Sequence, residues 1–310
     1  MLDGAIQFKT LIPRLKELGM TSCALTDHGW MGGIIEFSKE CKKNDIKPLI
    51  GIEAYLTENL DGVLQENKHR DNLHAVIIAK DLEGLKILYK LVSEGALHNY
   101  YYKPRVNRLK LEQLAGHAII TTACLKGVLT GELNFSKNEA GVVKTVSPSD
   151  VFFPLLSWYQ DVFKDDFYIE IQDWDDETHI QLEYNKFMIG VARKRDIPII
   201  LSCDCHYLNK ENYTLHQVMM AMQLKMTLEN YLAGDVMRYG PHFYLKSPTE
   251  MIQSAIKWNV PEATKNTMLV AEKCNVNIKL GTFFSPKFDV TTADDYPEFI
   301  EYCKDHKHNV

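Results

Sequence analysis

The 310-residue sequence has no apolar run that approaches the roughly 20 residues a membrane-spanning helix needs. Its N-terminal MLDGAIQFKT lacks the basic and apolar regions of an export signal, so no such signal is expected. An excess of positive charge is also absent, because 35 Lys and Arg residues stand against 41 Asp and Glu residues. Nucleic-acid binding driven chiefly by overall charge needs a concentrated excess of cations. The composition therefore argues against that mode of binding, although a local basic patch is not excluded.

The sequence also lacks a pattern of cysteines that would indicate a set of disulfide bonds. The sequence contains seven cysteines, an odd number, scattered along the chain. Without an export signal, this favours reduced thiols, some of them metal ligands, over a disulfide framework. The expected location is the cytoplasm.

The composition is that of an ordinary globular protein. Hydrophobic residues make up 45% of the sequence, charged residues 25% and aromatic residues 10%, which excludes a disordered, collagen-like or low-complexity chain. There are no internal repeats. A chain of this length can bury a sizeable core, as one large α/β domain or as two smaller ones.

Apolar strands alternate with amphipathic helices up to Tyr207, which is typical of a parallel sheet or a barrel. Strands are expected at residues 22–26, 48–55, 74–79, 118–122, 167–172 and 197–203. Helices are expected at residues 8–18, 34–43, 82–93, 180–195, 214–223 and 261–274, and the SPTE of residues 247–250 predicts a capping box before another helix. Pro13 should kink the first helix or mark a late start. Residues 134–149 are polar and turn-rich and predict a surface insertion.

Ionisable side chains stand at the ends of these strands: His28, Glu53, His74, Cys124, Asp204 and His206. In βα architectures the carboxyl ends of the strands converge on one face, and only His74 departs from this rule, because it stands at the start of its strand. Asp204 and His206 point the same way if their segment is extended. Imidazole, carboxylate and thiolate together form the ligand set of zinc, iron or manganese sites.

Each of these residues has a simpler explanation when it is taken alone. A single histidine at a strand end is more often a hydrogen-bonded core residue. Cys124 could be a small buried hydrophobe, and Asp27 could cap the turn that follows it. Six such residues at successive strand ends favour a polynuclear metal site instead.

Several segments resemble a known family. Residues 25–29 (LTDHG) and 204–208 (DCHYL) resemble elements shared widely by PHP (polymerase and histidinol phosphatase) domains. Residues 243–248 (FYLKSP) and 286–288 (PKF) resemble the branch of that family at the N-terminus of the DNA polymerase III alpha subunit, the bacterial replicative C-family polymerase. The likeness covers nearly the whole chain in order, and its other segments are residues 47–55, 74–80, 101–105, 123–125, 166–170, 271–276 and 285.

The resemblance implies an α/β fold, a distorted (β/α) barrel of the PHP type. It also implies up to three divalent metal ions, zinc, manganese or iron, at the strand ends, with fewer expected here. Carried over by position, the ligands are Asp3, His28, Glu53, His74, Cys124, Asp204 and His206. Asp27 becomes a residue that supports a ligating histidine, and Tyr55 and Tyr207 are expected to be packing residues.

Two departures from the family pattern qualify these expectations. The family opens with a strand that carries a His-x-His pair, whereas this sequence begins at Met1-Leu2-Asp3, so we expect a barrel without its first strand and exposed neighbouring edges. The chain also ends where the polymerase palm would begin, so we expect no DNA polymerisation by this polypeptide. The expected domains are a PHP domain at residues 1–288, with the insertion at 134–149, and a linker toward the absent palm at 289–310.

The resemblance implies one function and leaves two alternatives. Closely spaced divalent ions favour phosphoester hydrolysis, and some polymerase-branch members act as 3′→5′ exonucleases. We expect weak or absent nuclease activity here, because the missing His-x-His pair would remove ligands from one metal position. One alternative is an architectural module that braces the DNA-directed DNA polymerase. The other is a free-standing phosphatase for a small phosphate monoester, against which the FYLKSP and PKF segments argue.

The resemblance also implies partners. They are the remainder of the alpha chain, the DNA primer-template and other subunits of the replisome, and no membrane is expected. Lys103, Arg105 and Arg108 follow two tyrosines and could meet the DNA backbone. A solvated loop is the favoured alternative for these three residues, because the chain has a net charge of −6.

Overall fold

The structure is a computed structural model that describes residues 3–57, 72–174, 176–234 and 240–281, with single residues at 285, 301 and 305. The chain forms two compact units, Met1–Asn277 and Ile278–Val310, and the elements below belong to the first. The predicted domain boundary after residue 288 lies outside the described residues and stays a prediction. Among the described residues, no helix is long and apolar enough to cross a membrane.

The strands of the first unit are β1 (Ser22–Leu25), β2 (Lys47–Thr57), β3 (Leu73–Ala79), β4 (Tyr100–Tyr101), β5 (Lys103–Asn107), β6 (Ala118–Thr121), β7 (Leu133–Lys137), β8 (Val143–Pro148), β9 (Phe167–Gln172) and β10 (Ile199–Ser202). Its α-helices are α1 (Phe8–Glu17), α2 (Ile34–Lys43), α3 (Leu82–Leu97), α4 (Phe152–Phe163), α5 (Ile180–Arg195), α6 (Tyr213–Gln223), α7 (Leu228–Ala233), α8 (Pro248–Lys257) and α9 (Glu262–Lys273). Short 3-10 helices lie at Arg108–Leu114, Thr130–Glu132, Lys164–Asp166 and Lys210–Asn212.

Eight of the described strands form one curled sheet, a distorted half-barrel of the kind the resemblance implied. Its order is β10-β9-β6-β3-β2-β5-β4, and β1 pairs with β2 as well. The pairs β1–β2, β2–β5, β6–β9 and β9–β10 are parallel, as the alternation of strands and helices predicted. The sheet is mixed, however, because β3 runs antiparallel to both of its neighbours, β2 and β6, and β4 runs antiparallel to β5.

One layer of the core lies between the sheet and the last helix of the first unit. Five neighbouring strands each contribute one buried residue to it, namely Leu49, Ile78, Ile119, Tyr168 and Ile200. Val270, Ala271 and Cys274, in and just after α9, pack against them. Burial of this continuous apolar surface stabilises the sheet at roughly 25 cal/mol per Å², and it holds the strand ends in fixed relative positions.

Local signals explain where several helices begin. The Asp81 carboxylate accepts a hydrogen bond from the Gly84 N–H and caps α3. Ser247 and Glu250 form the predicted capping box of α8, with Pro248 at its first position. Pro13 was expected to kink α1 or to mark a late start. The late start is wrong, because the helix runs from Phe8 through Pro13, and the kink stays a prediction. Burial of its apolar side holds α1 together although proline cannot donate to the helix.

The predicted surface insertion at residues 134–149 is a β-hairpin. Strands β7 and β8 pair with each other in a two-stranded sheet of their own. Most of its side chains reach solvent, but Leu133 and Val143 are buried, and the Val143 N–H donates to the Thr178 carbonyl. These contacts hold the base of the hairpin against the rest of the unit.

Candidate metal centre

The reversed direction of β3 explains how His74 joins the other candidate ligands. His74 is the second residue of β3, and because β3 is antiparallel, this position lies opposite Tyr55 near the end of β2. The same reversal brings His74 beside the segment that follows β6, where it forms a bridge with Gly127. A start of an antiparallel strand and the ends of its neighbours therefore share one edge of the sheet.

Glu53 lies between two histidines in the first group of donors. Its Oε2 atom is 2.8 Å from His28 Nδ1, and its Oε1 atom is 2.9 Å from His74 Nδ1. Burial alone would raise the pKa of the Glu53 carboxyl, but the two histidines hold it well below its usual range. Burial alone would lower the pKa of His28, yet the contact with Glu53 and the charges of nearby carboxylates raise it.

Asp3, His28 and His206 form a second group that overlaps the first. Asp3 Oδ2 lies 3.4 Å from His28 Nε2, and the rings of His28 and His206 are 6.2 Å apart. Within each group, every residue offers a ligand atom that lies within 4.8 Å of the others. The main chain close to Asp3 is tied to His206, because the Ala5 N–H donates to the His206 carbonyl at 2.6 Å.

Cys124 and Asp204 border these two groups without belonging to either. Cys124 Sγ lies 3.5 Å from His74 Nδ1 and 3.8 Å from Glu53 Oε1. Asp204 Oδ1 lies 3.7 Å from His206 Nδ1, and burial raises the pKa of the Asp204 carboxyl. All seven predicted ligands thus lie in one neighbourhood, and their assignment as ligands stays a prediction.

The donor set fits a metal ion. In the described part of the chain, His28 Nδ1 is a buried atom without a hydrogen bond, although Glu53 Oε2 is only 2.8 Å away. A buried imidazole nitrogen and a carboxylate oxygen this close together can both bind one ion. Imidazole and carboxylate donors suit zinc, manganese or iron, and a nearby thiol favours the softer of these ions.

Two further residues act through contacts that sequence reasoning did not assign. Asp27 was predicted to support a ligating histidine, and it reaches the site through its carbonyl, which accepts from the Glu53 N–H at 3.0 Å. His216 on α6 was missed altogether. Its Nε2 atom lies 2.7 Å from the Asp3 carbonyl, and its ring meets that of His206 edge to face. A lone histidine on an apolar helix gives no sequence signal of such a role.

The three residues predicted to contact DNA lie in different surroundings. Lys103 Nζ donates to the Tyr55 hydroxyl at 3.3 Å, beside the donor groups. Arg105 is only 4% exposed and lies over the Tyr101 ring, so it offers little surface to DNA. Arg108 lies over the Trp158 ring, 4.4 Å from its centroid. DNA contact by these residues stays a prediction.

Comparison with known proteins confirms the resemblance found in the motifs. A family model described as PHP domain matches residues 1–174. DNA polymerase III subunit alpha of Campylobacter jejuni is 36% identical over 99% of this chain, and those of Helicobacter pylori and Aquifex aeolicus are 35% and 32% identical over 90% and 97% of it. The chain spans only 24%, 22% and 26% of these relatives.

Among solved structures, a protein of Bifidobacterium adolescentis described as a metal-dependent phosphoesterase has 13% identity and a TM-score of 0.38. The alignment covers 66% of this chain and 84% of that one.

Proposed function

The chain belongs to the PHP domain family and is homologous to DNA polymerase III alpha subunits, and we propose that it serves such a polymerase as a metal-binding domain of the phosphoesterase type. Its proposed partners are the remainder of an alpha chain, a DNA primer-template and other replisome subunits, and its proposed location is the cytoplasm. The support for this assignment is the sequence identity along 99% of the chain with a relative four times its length.

The observation that carries the metal-binding proposal is the position of Glu53. Its two carboxylate oxygens lie 2.8 and 2.9 Å from the Nδ1 atoms of His28 and His74. These atoms lie where the start of β3 meets the ends of its neighbouring strands. We propose that His28, Glu53 and His74 hold a divalent ion, with Asp3, Cys124, Asp204 and His206 as further ligands. A divalent ion bound there would supply Lewis-acid stabilisation of charge on a phosphate. The chain's own residues hold both imidazoles in place through Glu53, and Glu53 and His74 are themselves buried.

We propose that hydrolysis of a DNA 3′ end is weak. His28 belongs to both groups of donors. A neutral imidazole carries a proton on one ring nitrogen and accepts an ion only through the other. The described donors therefore hold one ion at a time through a neutral His28, whereas an in-line displacement between two ions needs both positions filled.

A nuclease assay tests this proposal. The 310-residue chain is incubated with a 3′-labelled primer-template and manganese, with and without a chelator. We expect slow release of the label that the chelator abolishes and that His74→Ala removes. His117→Ala serves as the matched control, because His117 pairs with Asp81 on the surface, away from the edge that carries the donors.

Three outcomes would contradict parts of the proposal. Rapid, chelator-sensitive cleavage would contradict weak activity. Equal activity in His74→Ala and His117→Ala would contradict the assignment of His74 as a ligand. Turnover of histidinol phosphate or an aryl phosphate without action on DNA would favour a free-standing phosphatase over a polymerase domain.

A further inference from the structure

The side chain of Glu170 joins the ends of the two strands that flank β9. Its carboxylate accepts hydrogen bonds of 2.5 Å from Thr121 Oγ1 and of 2.5 Å from Ser202 Oγ. Thr121 is the last residue of β6, and Ser202 is the last residue of β10. One buried carboxyl group, only 5% exposed, therefore binds a hydroxyl group on each side of its own strand.

These three polar side chains lie directly beyond the core layer that packs against α9. Residues two apart in a strand point to the same face of the sheet. Thr121, Glu170 and Ser202 each come two positions after a member of that layer: Ile119, Tyr168 and Ile200. The polar side chains thus form the next layer on the same face, toward the carboxyl ends of the three strands.

Thr121 connects Glu170 to the loop that carries Cys124. Its Oγ1 atom also accepts a hydrogen bond from the Ala123 N–H at 3.2 Å. Ala123 has a φ of +55°, a backbone conformation that is unfavourable for a residue with a Cβ atom and persists where surrounding contacts enforce it. Because Cys124 is the next residue, the contacts of Thr121 help to decide where the thiol lies.

Ser202 connects Glu170 to the loop that carries two further candidate ligands. Asp204 follows Ser202 by two residues and has a φ of +47°. The carbonyl oxygen of Asp204 lies 2.7 Å from His206 Nδ1. A non-glycine residue with positive φ therefore occurs in each loop, and Glu170 holds the strand end from which each loop departs.

We propose that Glu170 is a positioning residue that keeps the two loops in one relative geometry. The loop after β6 brings the thiol of Cys124, and the loop after β10 brings Asp204 and His206. Without the shared carboxyl group each loop can move independently, so the thiol and the carboxylate no longer reach one ion together. Both carboxylate oxygens of Glu170 bind hydroxyl groups, and Glu170 is not assigned as a ligand. This inference rests on the proposed function, because it concerns the same metal site.

A carboxamide can replace the carboxyl group in this role, whereas an apolar side chain cannot. In Glu170→Gln the side-chain oxygen accepts from one hydroxyl and the side-chain nitrogen donates to the other, because a hydroxyl can both donate and accept. Glu170→Leu fills a similar volume but removes both contacts. We therefore expect the first variant to keep the loop geometry and the second to lose it.

Two more variants remove one contact each. Thr121→Val removes the hydroxyl group at the end of β6, and Ser202→Ala removes the one at the end of β10. The matched controls are Thr145→Val and Ser136→Ala, which make the same changes at exposed positions of the β7–β8 hairpin.

Amide hydrogen exchange of the metal-free 310-residue chain, measured in a chelator by mass spectrometry, tests the contacts themselves. We expect Glu170→Leu to speed exchange roughly three- to tenfold both in residues 122–127 and in residues 203–208. Thr121→Val should affect only the first segment, and Ser202→Ala only the second. Glu170→Gln and the two hairpin controls should match wild-type protein.

The absorption spectrum of the chain titrated with cobalt(II) tests the effect on the metal centre. A bond between cobalt(II) and a thiolate gives a charge-transfer band in the near ultraviolet. We expect Glu170→Leu and Thr121→Val to lose most of this band, because Cys124 moves away from the ion. Ser202→Ala should keep the band but bind cobalt(II) roughly ten- to a hundredfold more weakly. Glu170→Gln should keep both the band and the affinity.

The role of Glu170 is contradicted if Glu170→Leu shows wild-type exchange in both segments or a wild-type cobalt spectrum. Equal damage by Glu170→Gln and Glu170→Leu also contradicts it, because contacts with the two hydroxyl groups would not explain that result. Should Glu170→Leu fail to fold, Thr121→Val and Ser202→Ala decide the question. Wild-type protein that binds no cobalt(II) contradicts the metal centre, whereas the exchange measurement still decides whether Glu170 holds the two loops.

Discussion

The Nδ1 atom of His74 lies 3.5 Å from the Sγ atom of Cys124, although His74 lies near the start of one strand and Cys124 follows the end of another. The His74 imidazole therefore lies next to the Cys124 thiol, which is the one soft ligand atom among the predicted ligands. Thiolates bind zinc and other soft ions more strongly than they bind manganese. We therefore expect Cys124, as a proposed ligand, to have its main effect on which ion the site selects.

Replacement of Cys124 by serine should change metal preference. We expect zinc affinity to fall by roughly ten- to a hundredfold and manganese affinity to change much less. Competition titration with a chromogenic chelator measures both affinities on one preparation. Cys274→Ser does not serve as a control, because Cys274 is buried in the core, but Cys23→Ser does, since Cys23 lies in β1 and is not among the predicted ligands. Parallel losses for the two ions would contradict a role for the thiol in selection.

Most strands and helices could be predicted from the sequence because they combine an apolar period with clear ends. The expected helices at 34–43 and 180–195 and the expected strand at 167–172 agree with α2, α5 and β9 to the residue. The late start that Pro13 suggested for α1 is wrong, because the burial of the apolar side of α1 outweighs one lost hydrogen bond. Local helix propensity does not include this stabilisation by tertiary packing.

The candidate site could be predicted only in part. His28, Glu53, Asp204 and His206 could be identified because they lie at the ends of predicted strands. His74 did not fit this rule, because the direction of β3 cannot be predicted from the residues of β3 itself. Hydrogen bonding to β2 and β6 decides that direction. Asp3 came from the family resemblance alone, since no period or spacing marks it.

Glu170 should make the stability of the metal-free protein depend on pH. Its carboxylate accepts hydrogen bonds of 2.5 Å from Thr121 Oγ1 and Ser202 Oγ, and burial raises its pKa from 4.5 to about 7. The folded state then holds a proton that the unfolded state releases. Glu170 therefore stabilises the fold below its unfolded pKa, and this contribution is lost as the pH rises toward about 7.

Glu170→Gln removes that proton equilibrium. In the presence of a chelator, we expect the free energy of unfolding of wild-type protein to fall between about pH 5 and about pH 8 by roughly 2–3 kcal/mol more than that of the variant. Urea denaturation at each pH measures the difference. Glu139→Gln, in the exposed turn of the hairpin, should follow wild-type protein. Identical pH profiles for wild type and Glu170→Gln would show that Glu170 does not carry the effect.

Asp173 should be a main anchor between the sheet and α8. Its carboxylate accepts hydrogen bonds from Ser254 Oγ, Lys257 Nζ and Trp258 Nε1, at 2.5, 2.7 and 2.9 Å. Burial would raise the pKa of Asp173, but these donors hold it below its ordinary value. Since Asp173 directly follows β9, the three bonds tie the end of this strand to α8 and to the residue that follows it.

We expect Asp173→Ala to lower the free energy of unfolding by about 2–4 kcal/mol, because it leaves two partly buried donors, Ser254 and Trp258, without their acceptor. Lys257→Met should cost less than about 1 kcal/mol, since the Lys257 side chain is 59% exposed and its ion pair is screened by water. Chemical denaturation of both variants gives the comparison. Equal losses would mean that the ion pair alone, rather than the three-bond anchor, accounts for the effect of Asp173.

The most direct test of the metal centre is the metal content of the 310-residue chain, measured by elemental analysis after purification without a chelator or a metal-affinity tag. We predict at least one zinc, manganese or iron ion per chain in wild-type protein and in His117→Ala, with loss of the ion in His28→Ala and Asp204→Ala while circular dichroism stays unchanged. A folded wild-type chain without metal, or a full metal content in His28→Ala, would contradict the metal centre and would favour an architectural role in the polymerase.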